Sequence, residues 1–295
     1  MKKIAVLITS FNRVEKTINC LKSLYNQTGL NNVVFQVFLT DDNSPDQTGK
    51  IIKSQFPEIH VGYGDGNLFW AGGMRNSWQM AINQGTDFDY YLLLNDDTYL
   101  FDDCISRILN VDKELLDKYK KESIIIGTTI DPESGKFTYG GFKLTSKLRF
   151  KFKFVNNLEV EEHCDLGCAN IMLVPGAIVK QIGILGEKFI HGIADFEYTL
   201  RAKKHGYLVF SAPGVYGYCK YDHGKSWKSQ KTSFKERLAY LYSPKGLAYK
   251  EFIYFVKKYF PLDTPIIASK LWIKTIFPFL YDMFKTDGQI IKIDK

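Results

Sequence analysis

Asn95-Asp96-Asp97 ends the apolar run Tyr90-Tyr91-Leu92-Leu93-Leu94. Five apolar residues are the length of a buried strand. Carboxylates at its carboxyl end are costly to desolvate unless a cation or a ligand compensates. In open α/β sheets that end is also where ligands bind. Hard oxygen donors of this kind suit Mg²⁺ or Mn²⁺. The competing reading is a solvated turn, with Asp96 or Asp97 capping a helix that opens at Asp102-Asp103-Cys104-Ile105.

Three polar clusters precede this one. Thr9-Ser10-Phe11-Asn12-Arg13 offers hydroxyls and backbone amides to a nucleotide, or a helix cap at Ser10 or Asn12. Asp41-Asp42-Asn43-Ser44 can accept hydrogen bonds from a base imide, although a plain turn uses the same residue types. The third cluster runs Gly64-Asp65-Gly66-Asn67-Leu68-Phe69-Trp70-Ala71-Gly72-Gly73-Met74-Arg75-Asn76. Its glycines allow a ligand close to the backbone, and the Arg75 guanidinium suits a diphosphate. The lysine and hydroxyl pattern of a Walker loop is absent.

The elements that must position these clusters alternate. Apolar, β-rich runs predict strands over 4–9, 33–40, 60–63 and 90–94. Helical spacing, as in Val14, Ile18, Leu21 and Leu24, predicts helices over 14–25, 47–56 and 74–84. Such alternation implies a parallel sheet with helices on both faces. A strand over 123–129, a hairpin over 137–154, a strand over 170–174 and a short helix over 177–182 follow. Lysines alternate with aromatics in 137–154, a mixture that can bind nucleic acid. Lysines also blunt exposed edge strands, and that is the reading taken.

Residues 220–295 carry 15 Lys plus Arg against 7 Asp plus Glu, whereas residues 1–219 carry 24 against 25. The basic excess therefore lies wholly in the tail. Helical faces are predicted there over 246–260 and 266–277, divided by Pro261. They suit packing on the main domain, with a basic, aromatic rim left for an anionic membrane surface. No run approaches the roughly 18 apolar residues of a membrane span. The opening residues imitate a signal peptide until Asn12, Arg13 and Glu15 interrupt them, which points to a cytoplasmic protein. Five scattered cysteines suit reduced thiols. Cys164 and Cys168, beside His163, have a loose zinc-site spacing without a second pair.

In this order the motifs resemble those of a family 2 glycosyltransferase of the GT-A fold. Ile8-Thr9-Ser10-Phe11-Asn12-Arg13 is similar to the family's opening strand and loop, and Thr40-Asp41-Asp42-Asn43-Ser44 to its base-binding turn. Arg75-Asn76 resembles its Arg-Asn helix start, and Asn95-Asp96-Asp97 its DxD-type metal motif with Asn in the first position. Asp165-Leu166-Gly167-Cys168 and Ala194-Asp195-Phe196-Glu197-Tyr198 resemble the acceptor-side segment and the acidic catalytic helix. The Asn67–Gly73 run (67–73) is similar to a bacterial polysaccharide branch containing rhamnosyl- and galactosyl-transferases.

The resemblance implies an α/β fold of the GT-A, Rossmann-like type, with a mostly parallel sheet flanked by helices and a C-terminal helical extension. It implies a transferase domain over 1–225, its nucleotide-binding half about 1–100 and its acceptor half about 101–225, and an extension over 226–295. Asp195 is then the general base, with Glu197, Trp70 and Asp165 on the acceptor side. Thr9, Ser10, Asn12, Arg13, Asp41, Asp42, Asn67, Gly72, Gly73, Arg75 and Asp96 belong to the nucleotide sugar. Asp97, Asp96 and His223 are the implied ligands of Mn²⁺ or Mg²⁺. The expected reaction is inverting transfer from a UDP- or dTDP-hexose to a glycan or a polyprenyl-diphosphate-linked acceptor, in synthesis of capsule, O-antigen or related polysaccharide. A peripheral contact with the inner membrane surface is expected, and no nucleic-acid partner. Two rivals are weaker. A nucleotidyltransferase making nucleotide sugars needs a glycine- and lysine-rich loop that residues 9–13 lack. A non-catalytic membrane- or nucleic-acid-binding protein leaves the acidic clusters unexplained.

Overall fold

The computed structural model describes residues 1–155, 158–221 and 232–280. Strands and helices alternate through the first half: β1 (Lys2–Ser10), α1 (Val14–Tyr25), β2 (Val33–Asp41), α2 (Thr48–Gln55), β3 (His60–Tyr63), α3 (Phe69–Asn83) and β4 (Tyr90–Leu94). Next come β5 (Tyr99–Leu100), α4 (Cys104–Tyr119), β6 (Ser123–Ile126), β7 (Thr129–Ile130), β8 (Gly141–Leu144) and β9 (Phe152–Phe154). The second half closes with β10 (Glu162–His163), β11 (Leu166–Gly167), β12 (Ile171–Pro175), α5 (Gly176–Ile182), α6 (Ala194–Lys204), β13 (Leu208–Ser211) and β14 (Gly217–Tyr218). The tail holds α7 (Phe234–Tyr242), α8 (Tyr249–Tyr259), a 3₁₀ turn (Pro261–Asp263) and α9 (Thr264–Ile276).

The main sheet has eight strands in the order β10-β13-β6-β12-β4-β1-β2-β3. β3, β2, β1 and β4 are parallel, and β12 lies antiparallel against both β4 and β6. β1 and β4 read as continuous apolar runs because both of their faces are covered. Alternate residues divide between two cores, as the period of two requires. Ile4, Val6 and Ile8 join Cys20, Leu21 and Leu24 of α1, while Ala5 and Leu7 join Met74 and Trp78 of α3. Each large apolar side chain so buried contributes about 1.5–3 kcal/mol. The parallel order brings the carboxyl ends of β1, β2 and β4 to one edge.

The expected α/β architecture holds, with local differences that have physical causes. The run 123–129 is two strands in different sheets, parted at Gly127, where a Cβ would lie 2.9 Å from Ile171 Cγ2. α3 begins at Phe69 rather than at residue 74, so Gly72 and Gly73 lie inside a helix. β8 and β9 pair antiparallel as the predicted hairpin. β13 and α7 lack a sequence expectation altogether. β13 pairs parallel with β6, and α7 starts with a capping box of Ser233 and Glu236.

The tail is fastened to the sheet domain. Phe255, Val256 and Phe260 enter the same core as Trp78 and Tyr198. Phe150 packs its ring against Phe252, Phe255 and Phe260, and its amide donates to Asp263 Oδ2 at 2.9 Å. The Ile190 amide donates to Glu251 Oε2 at 2.8 Å. Among the described residues no helix is long and apolar enough to cross a membrane.

Candidate active site

Where β1, β2 and β4 end, a cleft of about 140 Å³ opens, its floor formed by Thr9, Ser10, Asp42 and Asp96. Its rim carries Phe11, Arg13, Gly66, Phe69 and Trp70, together with His191 and Lys245 from the distant half. A wider groove beside β3 has Lys53 and His60 in its lining but no carboxylate.

The acidic turn is closed by the Thr98 amide donating to Asn95 O at 3.1 Å. Asn95 Oδ1 accepts from Trp70 Nε1 at 2.8 Å, so the residue replacing the first Asp fixes the indole at the cleft. Asp96 is buried, and its Oδ2 has no hydrogen-bond partner. Arg13 Nη1 lies 2.8 Å from Asp97 Oδ2 and 3.4 Å from Asp96 Oδ1, with Lys16 Nζ 4.0 Å from Asp97. Burial, then the Asp97 charge, pushes the Asp96 carboxyl up to about 6, although Arg13 opposes the shift. Neither carboxylate caps α4, whose Ile105 amide donates instead to Gln27 Oε1 at 2.8 Å. The helix-cap reading of Asp96 and Asp97 is thereby removed.

A buried carboxylate oxygen without a donor is rare unless an ion or water satisfies it. Such an oxygen on Asp96, with the Asp97 carboxylate adjacent, fits a hard divalent cation. Asp96 and Asp97 would hold it. No group of three or more His, Cys, Asp or Glu that could bind a metal occurs among the described residues. His223 lies outside the described residues. Cys164 is buried in the core, and His163 packs its ring on Phe210.

The two aspartates after β2 differ. Both Asp41 oxygens are engaged by the Ser44 and Gly49 amides, at 3.0 and 2.9 Å, so Asp41 shapes the turn rather than facing the cleft. Asp42 accepts from the Gly66 amide at 2.9 Å and the Phe69 amide at 3.1 Å, pinning the glycine-rich loop at the cleft wall. A Cβ on Gly64 would collide with Asp42 Oδ1. Phe69 holds a φ of +52°, an unusual conformation for an aromatic residue, where this loop enters α3.

Several expected ligand contacts prove structural. A Cβ on Gly73 would collide with Thr9 Oγ1, and one on Gly72 would press on Leu68 Cβ at 3.2 Å. Gly73 lets α3 approach β1, and Gly72 makes room for Leu68 at the start of the helix, rather than a ligand approaching the backbone. Arg75 Nη1 donates to the carbonyls of Gly186 and Phe189, at 3.0 and 2.7 Å, and is not part of the cleft lining. Its guanidinium holds the 186–189 segment, contrary to the diphosphate role. Asn67 is exposed and outside the lining, its amide turned to Asp65 Oδ1. Asn12 is exposed with φ +55°, and its amide donates to Ser44 Oγ at 2.9 Å. Ser10 Oγ pairs with Thr17 Oγ1 at 2.9 Å, and α1 receives its cap from Asp46, which accepts the Val14 amide.

Asp195 opens α6. Its Oδ2 accepts from the Ala169 amide at 3.2 Å, and its Oδ1 from the Phe196 amide at 2.8 Å. Asn170, next in the chain, accepts the Asn95 amide at 3.2 Å, so Asp195 stands at the same end of the sheet as the acidic turn. Burial pushes its carboxyl up to about 6 against the pull of these amides. Glu197 behaves otherwise. It is buried, with Oε1 receiving Lys258 Nζ at 2.8 Å and the Tyr259 hydroxyl at 3.0 Å, and Oε2 receiving Arg201 Nε at 3.3 Å. It anchors the tail instead of meeting an acceptor. Asp165 likewise is engaged by Lys203 Nζ and the Leu144 amide.

Sequence reasoning missed Phe11, Phe69, His191 and Lys245. The Ser-Pro-Lys-Gly turn around Lys245 was a visible local signal, but nothing local ties 191 or 245 to residues 9–96.

The family model described as glycosyl transferase family 2 matches residues 5–173. No curated protein matches the chain. Among solved structures, the crystal structure of S. aureus TarS 1-349 in complex with UDP is similar, with a TM-score of 0.51 and 16% sequence identity. The match covers 75% of this chain and 60% of that one, so the chain spans less than two thirds of that structure. At this identity the likeness is one of fold.

Proposed function

The chain belongs to glycosyl transferase family 2, and from that premise we propose that it moves a hexose from a UDP- or dTDP-sugar to a hydroxyl of a glycan or lipid-linked acceptor, with inversion. The observation that carries this reading is Asp96 Oδ2, buried without a partner beside Asp97 in the cleft at the strand ends. In this reading residues 1–225 form the transferase unit and 226–295 its extension.

Asp96 and Asp97 hold Mn²⁺ or Mg²⁺. When bound, that ion supplies positive charge for the departing diphosphate. Asp42 and the Gly66 amide form the donor wall, and Trp70, fixed by Asn95, offers an aromatic face to the sugar. Asp195 takes the proton of the acceptor hydroxyl as its oxygen bonds to the anomeric carbon. The bond from that carbon to the diphosphate oxygen breaks, and the nucleoside diphosphate leaves. A single displacement inverts the centre. A carboxyl held near 6 is ionised at neutral pH yet basic enough to accept a proton.

The test is a thermal-shift titration of the full chain with UDP, dTDP and GDP, with and without Mn²⁺, followed by a donor screen. Metal-dependent stabilisation by one of them is the expected outcome. None at any concentration refutes the reading.

A membrane-held acceptor is favoured by α9, which exposes Ile266, Ile273 and Ile276 together with Lys270. On this reading the protein works at the cytoplasmic face, building a cell-surface polysaccharide. Co-sedimentation with anionic vesicles, lost in an Ile273→Asp plus Ile276→Asp variant, is expected. Equal sedimentation of the two proteins contradicts it.

A further inference from the structure

We infer that Lys245, a residue of the basic tail, binds the diphosphate of the donor, so that the tail completes the donor site as well as packing on the domain. The inference rests on the nucleotide-sugar reading above and adds a ligand that the motifs of the first half do not contain.

Lys245 sits in the connection between α7 and α8. Ser243-Pro244-Lys245-Gly246 is a turn closed by the Gly246 amide donating to Ser243 O at 2.9 Å. Ser first, Pro second and Gly fourth are the residues such a turn favours. The next two amides fasten it further. Leu247 donates to Tyr240 O at 3.0 Å and Ala248 to Ser243 O at 3.1 Å. A Cβ at position 246 would collide with Tyr240 O, so glycine is required there by close backbone approach. The loop is therefore a fixed platform, and the backbone of Lys245 is held where the turn puts it.

That place is the rim of the cleft. Lys245 Nζ lies 5.5 Å from the ring centre of Phe11 and 6.0 Å from that of Phe69, both cleft residues. Among the described residues no carboxylate lies within ion-pair distance of Lys245. Its tail neighbour Lys258, by contrast, is paired with Glu197. The floor of the cleft is acidic, through Asp42 and Asp96, and Arg13 is drawn onto Asp96 and Asp97. A diphosphate entering here needs a cation that no protein carboxylate neutralises. Lys245 meets that need, presented over two rings that line the cleft.

A diphosphate could come from the nucleotide donor or from a polyprenyl acceptor. Thr9, Asp42 and Gly66, on the same cleft, favour the donor. Calorimetric titration of the full chain with UDP, dTDP, GDP, uridine and farnesyl diphosphate tests this. Lys245→Ala should weaken the best nucleoside diphosphate about tenfold, or about 1.4 kcal/mol, and leave uridine unchanged. Lys245→Arg should restore binding to within about threefold, since both cations serve phosphate. Lys250→Ala, an exposed lysine of α8 outside the cleft, should have no effect. Equal weakening by Lys250→Ala would assign the effect to bulk tail charge and overturn the inference. So would an unchanged affinity in Lys245→Ala, or a loss confined to farnesyl diphosphate. If the parent chain binds no nucleoside diphosphate, the donor reading itself fails. If it binds and Lys245→Ala binds equally well, only the role of Lys245 fails.

Discussion

Asp96 and Glu197 are both carboxylates in the interior, yet one keeps an oxygen without a partner while the other has three donors. Asp96 follows a strand and faces a cleft, and its neighbour is a second carboxylate. Glu197 lies one turn into α6, met by Arg201 of its own helix and by Lys258 and Tyr259 of the tail. Burial is nearly equal in the two. Satisfaction is not. A carboxylate that serves packing collects donors until its desolvation is offset, because removing either partner leaves an uncompensated charge. Asp96 is left short of donors at Oδ2, a cost that a bound ion or water would offset. The contrast separates a carboxylate whose charge is met within the protein from one whose charge is met only in part.

The contrast can be broken by substitution. The largest expected effect is on chemistry. Asp195→Asn should lower transfer about 10²–10⁴-fold, with nucleotide binding retained in the same titration. Asp96→Asn should abolish stabilisation by Mn²⁺ while leaving the metal-free protein folded, as judged by its melt. A variant still stabilised by the ion would remove Asp96 from the ligand set.

Glu197→Ala should act on stability instead. Loss of a buried carboxylate that satisfies three donors costs about 2–4 kcal/mol, the lower end because Lys258 is partly solvated. A melting temperature lowered by roughly 5–10 °C is expected. An unchanged melt with impaired acceptor kinetics would restore Glu197 to the acceptor side.

A smaller effect concerns pH. Asp96 and Asp195 are both held near 6, above the ordinary carboxylate range. The folded chain therefore keeps protons that the unfolded chain releases. Their contribution to metal-free stability is complete below the ordinary carboxylate range and is lost as pH rises through about 6. Asp96→Asn should flatten the stability profile between about pH 4 and 7. A slope parallel to that of the parent would refute the assignment. Activity should run the opposite way and rise through about 6, as the base ionises.

The smallest expected change is that of Trp70→Phe. It keeps an aromatic face but loses the indole bond to Asn95, worth about 0.5–1.5 kcal/mol. A loss of a few-fold in donor KM is expected, without a change in fold.

Much of the scaffold was legible in the chain. The ends of α1, β3 and β4 fall where apolar spacing placed them, because burial on one or two faces writes a period into the sequence. The acidic turn was legible for the same reason, since carboxylates after a buried strand are conspicuous. The entry to α3 was not. Glycines at 72 and 73 resemble a loop in sequence, and only the closeness of Leu68 to the first and of Thr9 to the second explains them inside a helix. Arg75 resembles an anion ligand until the carbonyls of 186 and 189 are seen to face it.

By itself, the sequence determined the alternation of elements, the family and the turn that carries Asp96 and Asp97, since these depend on local pattern and on order along the chain. Only the tertiary structure decided which polar groups meet ligands. It turned Arg75 and Glu197 inward and placed Lys245 on a rim shared with residues of the first quarter of the chain, from Phe11 to Trp70. The reason is physical: a charged side chain acts according to the partners within a few ångströms, and those partners come from distant segments.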